Sequence, residues 1–218
     1  MKRLYIVVEG QTEQEFVNEL MAPYLQESGI YSVTPVLIHT SRSGRGGMVN
    51  YQYLYNTIKI LLCSANTDFV VTTFIDFFRL PNTIPDYAQC MAITDKIQCV
   101  EALEESLNKH IDDRRFFSYI QLHEFEALLF SSNKGFEYYF SEAYAQKTAA
   151  IISSYANPED INTSPQGAPS KRILAIKPDY NKVIEGNLIA LEIGINTILD
   201  KCPRFAAWVS RIVDSCKD

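Results

Sequence analysis

Residues 1–15 read MKRLYIVVEGQTEQE, and their pattern decides the fold. Leu4 to Val8 is a short apolar, β-prone run that stops at Glu9-Gly10, and a helical pattern opens at Thr12. That order predicts a buried strand, a tight turn and a helix, with Thr12 as cap and Glu15 as its capping-box partner. Open α/β sheets place their chemistry at the carboxyl ends of the strands, so Glu9 stands where a working carboxylate belongs.

Three more runs read as strands: VTPVLI at 33–38, FVVTTFI at 69–75 and FFSYIQL at 116–122. Pro35 argues that the first of these is an edge strand or begins at that residue. The run at 69–75 is continuously apolar or β-branched, as a central parallel strand should be. Helical spacing is expected from Thr12 to about Glu27, with Pro23 bending or ending it, and again over 51–62 and 93–110. Further helices are expected over 136–152, from a Ser170 cap, over 188–199 through Gly194, and over 205–212 with Trp208 as a core anchor. The fold class is therefore α/β: a mainly parallel four-stranded sheet flanked by helices over residues 1–130. Residues 131–218 form a helical C-terminal extension packed on it.

The strand ends deliver further groups to the edge that holds Glu9. Asp76 follows the third strand, and His123-Glu124-Phe125-Glu126 follows the fourth. Two hard oxygen ligands such as Glu9 and Asp76, joined by Glu124, suit Mg²⁺ or Mn²⁺ beside a phosphodiester. Without a metal, Glu9 serves as general acid or base, and His123 is a second candidate for proton transfer. An acid at a strand end is also a common helix cap or turn former, and a histidine there is often tied to a backbone carbonyl. His-Glu-x-Glu is not the zinc pattern His-Glu-x-x-His. The loop SRSGRGG at 41–47 carries Arg42 and Arg45 among glycines that permit close backbone approach, and His39 lies beside it. Its spacing is not that of a P-loop. Arg45, Lys171 and Arg172 are the candidate phosphate-holding cations, and each has an ordinary solvated alternative.

Bulk properties narrow the classes. The 218 residues carry a net charge of −6, which argues against a non-specific nucleic-acid binder unless a local basic patch or metal offsets phosphate repulsion. Thirteen tyrosines and twelve phenylalanines exceed what a core alone suggests and hint at a partner-facing surface. The cysteine count is odd, at five, with no Cys-x-x-Cys pair, which points to reduced thiols. With no signal peptide and no run of about 18 apolar residues, a cytoplasmic location and no membrane association are expected.

These residues carry a family resemblance. EGQTE at 9–13 after an apolar strand resembles the opening motif of Toprim domains, found in topoisomerases, primases and the overcoming-lysogenization-defect (OLD) nucleases. The whole chain resembles the Toprim-like family DUF4276. The matching pieces are VEGQTE at 8–13, RGG at 45–47, IDFFRLP at 75–81, HEFEALLF at 123–130, APSKR at 168–172 and CPRFAAW at 202–208. The resemblance implies a Toprim/Rossmann-like sheet, with Glu9 as general acid/base or metal ligand and Asp76 as the first acid of an Asp-x-Asp pair that holds Mg²⁺. Phe78 stands where the second acid should be, so Glu124, Glu126 or Asp86 must substitute, or metal binding is lost. It also implies a partner ATPase of the ABC/SMC class, as in phage-defence systems. DNA or RNA and a second copy of the chain are the other expected partners. Three functions follow: a Mg-dependent nucleic-acid phosphodiester hydrolase, a non-catalytic regulatory subunit that kept the fold, or an enzyme acting on a small phosphorylated ligand at the glycine/arginine loop.

Overall fold

The computed structural model describes residues 2–38, 50–64, 68–162 and 165–217. The glycine/arginine loop, with Arg45 and His39, lies outside the described residues. A parallel sheet runs through the middle of the chain's first two-thirds. Strand β1 (Arg3–Val8) lies between the edge strand β2 (Val33–Leu37) and β3 (Phe69–Asp76), and β3 also pairs with the short β4 (Phe116–Phe117) and β5 (Ile120–Gln121). Every pairing is parallel, so each strand end of interest meets the others on one edge.

The alternation of side chains explains why these runs are apolar throughout. Leu4, Ile6 and Val8 enter one core with Phe74, Phe205 and Trp208. Val7, Val71 and Ile75 enter a second core on the opposite face, with Leu54, Ile58, Leu103 and Leu107. A strand buried on both faces has no solvent side to mark with polar residues. Helices α1 (Gln11–Phe16), α2 (Ala22–Glu27) and α6 (Lys134–Tyr139) to α11 (Pro203–Lys217) contribute to the first core. Helices α3 (Tyr51–Leu62), α4 (Tyr87–Met91) and α5 (Lys96–Ile111) contribute to the second. Trp208 anchors α11 as expected: its ring stacks on Tyr119 with centroids 4.4 Å apart, and its Nε1–H donates to Thr72 Oγ1 at 2.9 Å.

The expected fourth strand is divided in two. The Thr73 hydroxyl donates to Tyr119 O and accepts from Tyr119 N–H, both at 2.8 Å, and Asn108 Oδ1 accepts from Ser118 N–H at 2.7 Å. Side chains thus replace the ladder bonds between β4 and β5. Three helix ends also differ from expectation. Pro23 is accommodated because a π-helical stretch, Val17–Met21, precedes it and places it in the first turn of α2. Gly194, at φ 81°, separates α9 (Asn187–Ile193) from α10 (Ile195–Lys201). The region over 136–152 is two helices, because Ser141 caps α7 (Glu142–Ser153) by accepting from Tyr144 N–H.

A half-buried ion network ties α11 to β5. Arg204 donates to Glu104 Oε1 at 2.9 Å and to Ile120 O at 3.0 Å, and Glu104 Oε1 also accepts from Ile120 N–H at 2.7 Å. Glu159 accepts from the first backbone N–H groups of α11, those of Arg204 and Phe205, at 2.9 and 3.2 Å. No helix among the described residues is long and apolar enough to cross a membrane.

Candidate functional site

The turn after β1 is tighter than its sequence suggests. Gly10, not Thr12, is the N-cap of α1, and Glu13, not Glu15, is the capping-box residue. Glu13 Oε2 accepts from Gly10 N–H at 3.0 Å. A side chain at Gly10 would bring its Cβ within 3.2 Å of that oxygen, so Glu13 would have to give way slightly. This cap pulls Glu13 inward until it is buried and leaves Glu9 half-buried at the sheet edge.

Asp76 ends β3, and its Oδ1 accepts from Phe125 N–H at 2.9 Å. The backbone reaches that position by a left-handed turn at His123, φ 67°, whose carbonyl accepts from Phe78 N–H at 2.8 Å. A 3₁₀ helix, Phe125–Ser131, follows and carries Glu126 to complete burial.

These acids converge on one cation. Lys182 opens a π-helical turn, Lys182–Gly186, ahead of α9. Its Nζ stands 3.2 Å from Glu126 Oε2 and 3.5 Å from both Asp76 Oδ2 and Glu13 Oε1. Neither oxygen of Glu126 has a hydrogen-bond partner among the described residues, and the 3.2 Å approach of Nζ to Oε2 is an ion pair. The buried hydroxyl of Tyr180 likewise has none. Burial raises the pKa of Asp76 well above the ordinary range; Lys182 opposes this, while Glu13, Glu9 and Glu126 reinforce it. Burial also raises Glu126, against Lys182 and with Glu124. For Lys182 burial works against the charge, but Asp76, Glu126, Glu13 and Glu124 overcome it and hold the ammonium protonated.

The remaining candidates lie around this cluster. Both carboxylate oxygens of Glu124 accept from Ser170, one from its N–H at 2.9 Å and one from its hydroxyl at 3.0 Å. Ser170 is therefore a clamp for Glu124, and the cap of α8 (Pro169–Ile176) is Ala168. Arg172 donates to Gly167 O at 2.7 Å and Tyr155 Oη at 2.9 Å, and its guanidinium lies over the Tyr155 ring. Lys171 is exposed. Asp86 accepts from Ser106 Oγ at 2.7 Å, away from Asp76. The His123 ring is buried beside Asn162, whose amide meets its Nδ1 at 3.2 Å, and burial with Lys96 lowers its pKa to about 4. Two members of the cluster went unassigned in the sequence. Glu13 was legible as the third helical residue after a Gly cap; Lys182 carries no local signal, because its partners lie up to 169 positions away.

The donor chemistry suits a hard divalent cation. Among the described residues no three His, Cys, Asp or Glu side chains form a ready-made metal cage, since the carboxylates meet around an ammonium. Burial pushes Glu126 toward its protonated form even with Lys182 at 3.2 Å, and a further cation would favour the charged carboxylate. Asp76 Oδ2, Glu13 Oε1 and both Glu126 oxygens are the oxygen ligands that Mg²⁺ or Mn²⁺ prefers.

Fold and site together define an α/β domain with a carboxylate–lysine cluster at the carboxyl edge of a parallel sheet. The chain belongs to the family described as "Domain of unknown function (DUF4276)", whose profile matches residues 8–213, a span that holds every residue of the cluster. Among solved structures, the C-terminal region of the Xanthomonas campestris pv. campestris OLD protein aligns with all of this chain and 93% of its own, at 12% identity and a TM-score of 0.48. The C-terminal region of the Burkholderia pseudomallei OLD protein aligns with 98% of this chain and 99% of its own, at 15% identity and a TM-score of 0.45. No curated protein matches the chain.

Proposed function

We propose that this protein is a divalent-metal-dependent phosphoryl-transfer enzyme that hydrolyses nucleic-acid phosphodiesters and works beside an ATPase of the ABC/SMC class. The observation that carries the reading is Glu126: a fully buried carboxylate without hydrogen bonds, facing Asp76 and Lys182 at the strand ends. Glu126 takes the part of the second acid that Phe78 leaves vacant. The EGQTE resemblance to Toprim domains and the placement of Glu9 support the substrate class, and the ATPase comes from the family resemblance alone.

In this reading Glu9, Asp76 and Glu126 hold Mg²⁺ or Mn²⁺, with Glu13 beside them. Glu124, clamped by Ser170, adds negative charge from behind. A divalent ion held by these residues would supply Lewis-acid polarisation and charge neutralisation at the phosphoryl group. Phe125 N–H fixes the orientation of Asp76 before substrate arrives. Glu9, half-buried at the edge, takes the proton of the attacking water, and the departing ester oxygen takes its proton from solvent. Lys182 moves its charge from the carboxylates to a non-bridging phosphate oxygen as the ester bond breaks. Lys171, exposed on α8, and Arg172 steady flanking phosphates.

Calorimetric titration with Mn²⁺, paired with cleavage of plasmid and single-stranded DNA, tests the reading. The wild type should bind Mn²⁺ and cut. Glu9→Gln, Asp76→Asn and Glu126→Gln should each weaken binding about tenfold or more and abolish cutting. Equal Mn²⁺ binding by all four proteins overturns it. One observation favours a second reading, a non-catalytic subunit of an ATPase complex: Lys182 already sits where a metal would neutralise the acids. That reading predicts no Mn²⁺ uptake at saturating concentrations.

A further inference from the structure

Beside the carboxylate cluster, on the same two chain segments, lies a cavity of about 180 Å³. Its walls include Phe77, Tyr87 and Met91, its polar corner is His123 with Asn162, and Arg79 stands at the rim with its guanidinium over the Phe78 ring. We infer that this cavity is a subsite for one unstacked nucleobase of a single-stranded nucleic acid. The inference rests on the proposed reaction for its substrate class and adds what that reading lacks, a means of gripping the strand.

Size and chemistry carry it. The space falls below the roughly 300–1,000 Å³ of drug-sized ligand sites and suits a single ring system. Aromatic walls offer faces for a flat π-system, and a guanidinium plane at the rim offers another. The Asn162 amide meets His123 Nδ1 at 3.2 Å, so the imidazole and the amide together form a polar corner that can exchange hydrogen bonds with the ring nitrogens and carbonyls of a base. Position matters equally. Phe77 directly follows Asp76, Phe78 N–H is tied to His123 O, and Phe125 N–H is tied to Asp76. A base seated here therefore places a neighbouring phosphate toward the carboxylates. Both turns that shape the cavity are left-handed at non-glycine residues, Arg79 at φ 63° and His123 at φ 67°. Such conformations are costly, and they cluster where a site demands them. A duplex keeps its bases stacked, so the expected ligand is a single strand or a frayed end.

Fluorescence anisotropy with a labelled single-stranded DNA pentamer, in EDTA so that no cutting occurs, tests the subsite. The comparison strand is identical but abasic at its central position. The wild type should bind the complete strand about tenfold more tightly than the abasic one. His123→Asn, which tolerates the left-handed backbone, should shrink that preference to threefold or less. Equal binding of the two strands by the wild type overturns the inference without recourse to any variant, as does a full preference retained in folded His123→Asn. The two readings fail separately. A base preference without metal-dependent cutting leaves the subsite and removes the proposed reaction; cutting without a base preference does the reverse.

Discussion

Two ion clusters hold this fold's inner charges, and they are built on different terms. Around Arg204 every charge is satisfied: the guanidinium reaches Glu104 and a carbonyl, and the Glu159 oxygens take two helix N–H groups, all between 2.9 and 3.2 Å. Around Lys182 three acids share one ammonium at 3.2–3.5 Å, and Glu126 is left without a hydrogen bond. The first cluster contains its own solution. The second sets three acids against one ammonium, an excess that a proton or another cation relieves. Buried charge by itself does not mark a site; buried charge left unresolved does.

The largest expected effect tests the structural half of this contrast. Arg204→Met strands Glu104 without its counter-charge, and urea denaturation should show a loss of about 3–5 kcal/mol. A loss under 1 kcal/mol breaks the contrast.

Acid should act next most strongly, at the edge of the unresolved cluster. His123 is neutral in both folded and unfolded chains above its ordinary pKa of 6.5, so its contribution is fully present there. As pH falls from 6.5 to about 4 the unfolded chain gains a proton that the folded one refuses, and stability is lost, by up to about 3 kcal/mol. Asp76 and Glu126, raised by burial, act oppositely: they take protons in the fold first and favour it as pH falls. Denaturation at pH 7, 5.5 and 4.5 should therefore show His123→Asn losing less stability on acidification than the wild type. Parallel curves refute the assignment.

The smallest effect compares like with like. Glu104→Gln breaks a satisfied pair and should cost about 1–3 kcal/mol. Glu126→Gln removes surplus charge and should leave stability unchanged or raise it by about 1 kcal/mol. Equal losses in both variants mean that the Lys182 cluster is ordinary architecture.

Much of the fold was legible because β1 and β3 are buried on both faces, and a continuous apolar run cannot hide. The division of the fourth strand was not, because it depends on the Thr73 hydroxyl reaching Tyr119 across the sheet. The acids at strand ends were readable for the same reason as the strands: Glu9 and Asp76 interrupt apolar runs. Glu13 was hidden by one competing cap, since Thr12 with Glu15 has the same spacing as Gly10 with Glu13. Lys182 was unreadable in principle. Nothing near it in sequence states that it will meet Glu13, Asp76 and Glu126.

That scatter along the chain has a consequence for how the molecule comes into being. The acids are synthesised first, within residues 9–126, and the lysine that balances them emerges more than 50 residues later. Until it docks, carboxylates at the sheet edge repel one another across space they must share. The cluster is thus closed by a contact of long sequence separation, the kind whose loop-closure cost is met late in folding. The cluster at this edge is complete only when the C-terminal helices are in place, which makes Lys182 a latch that reports a finished fold.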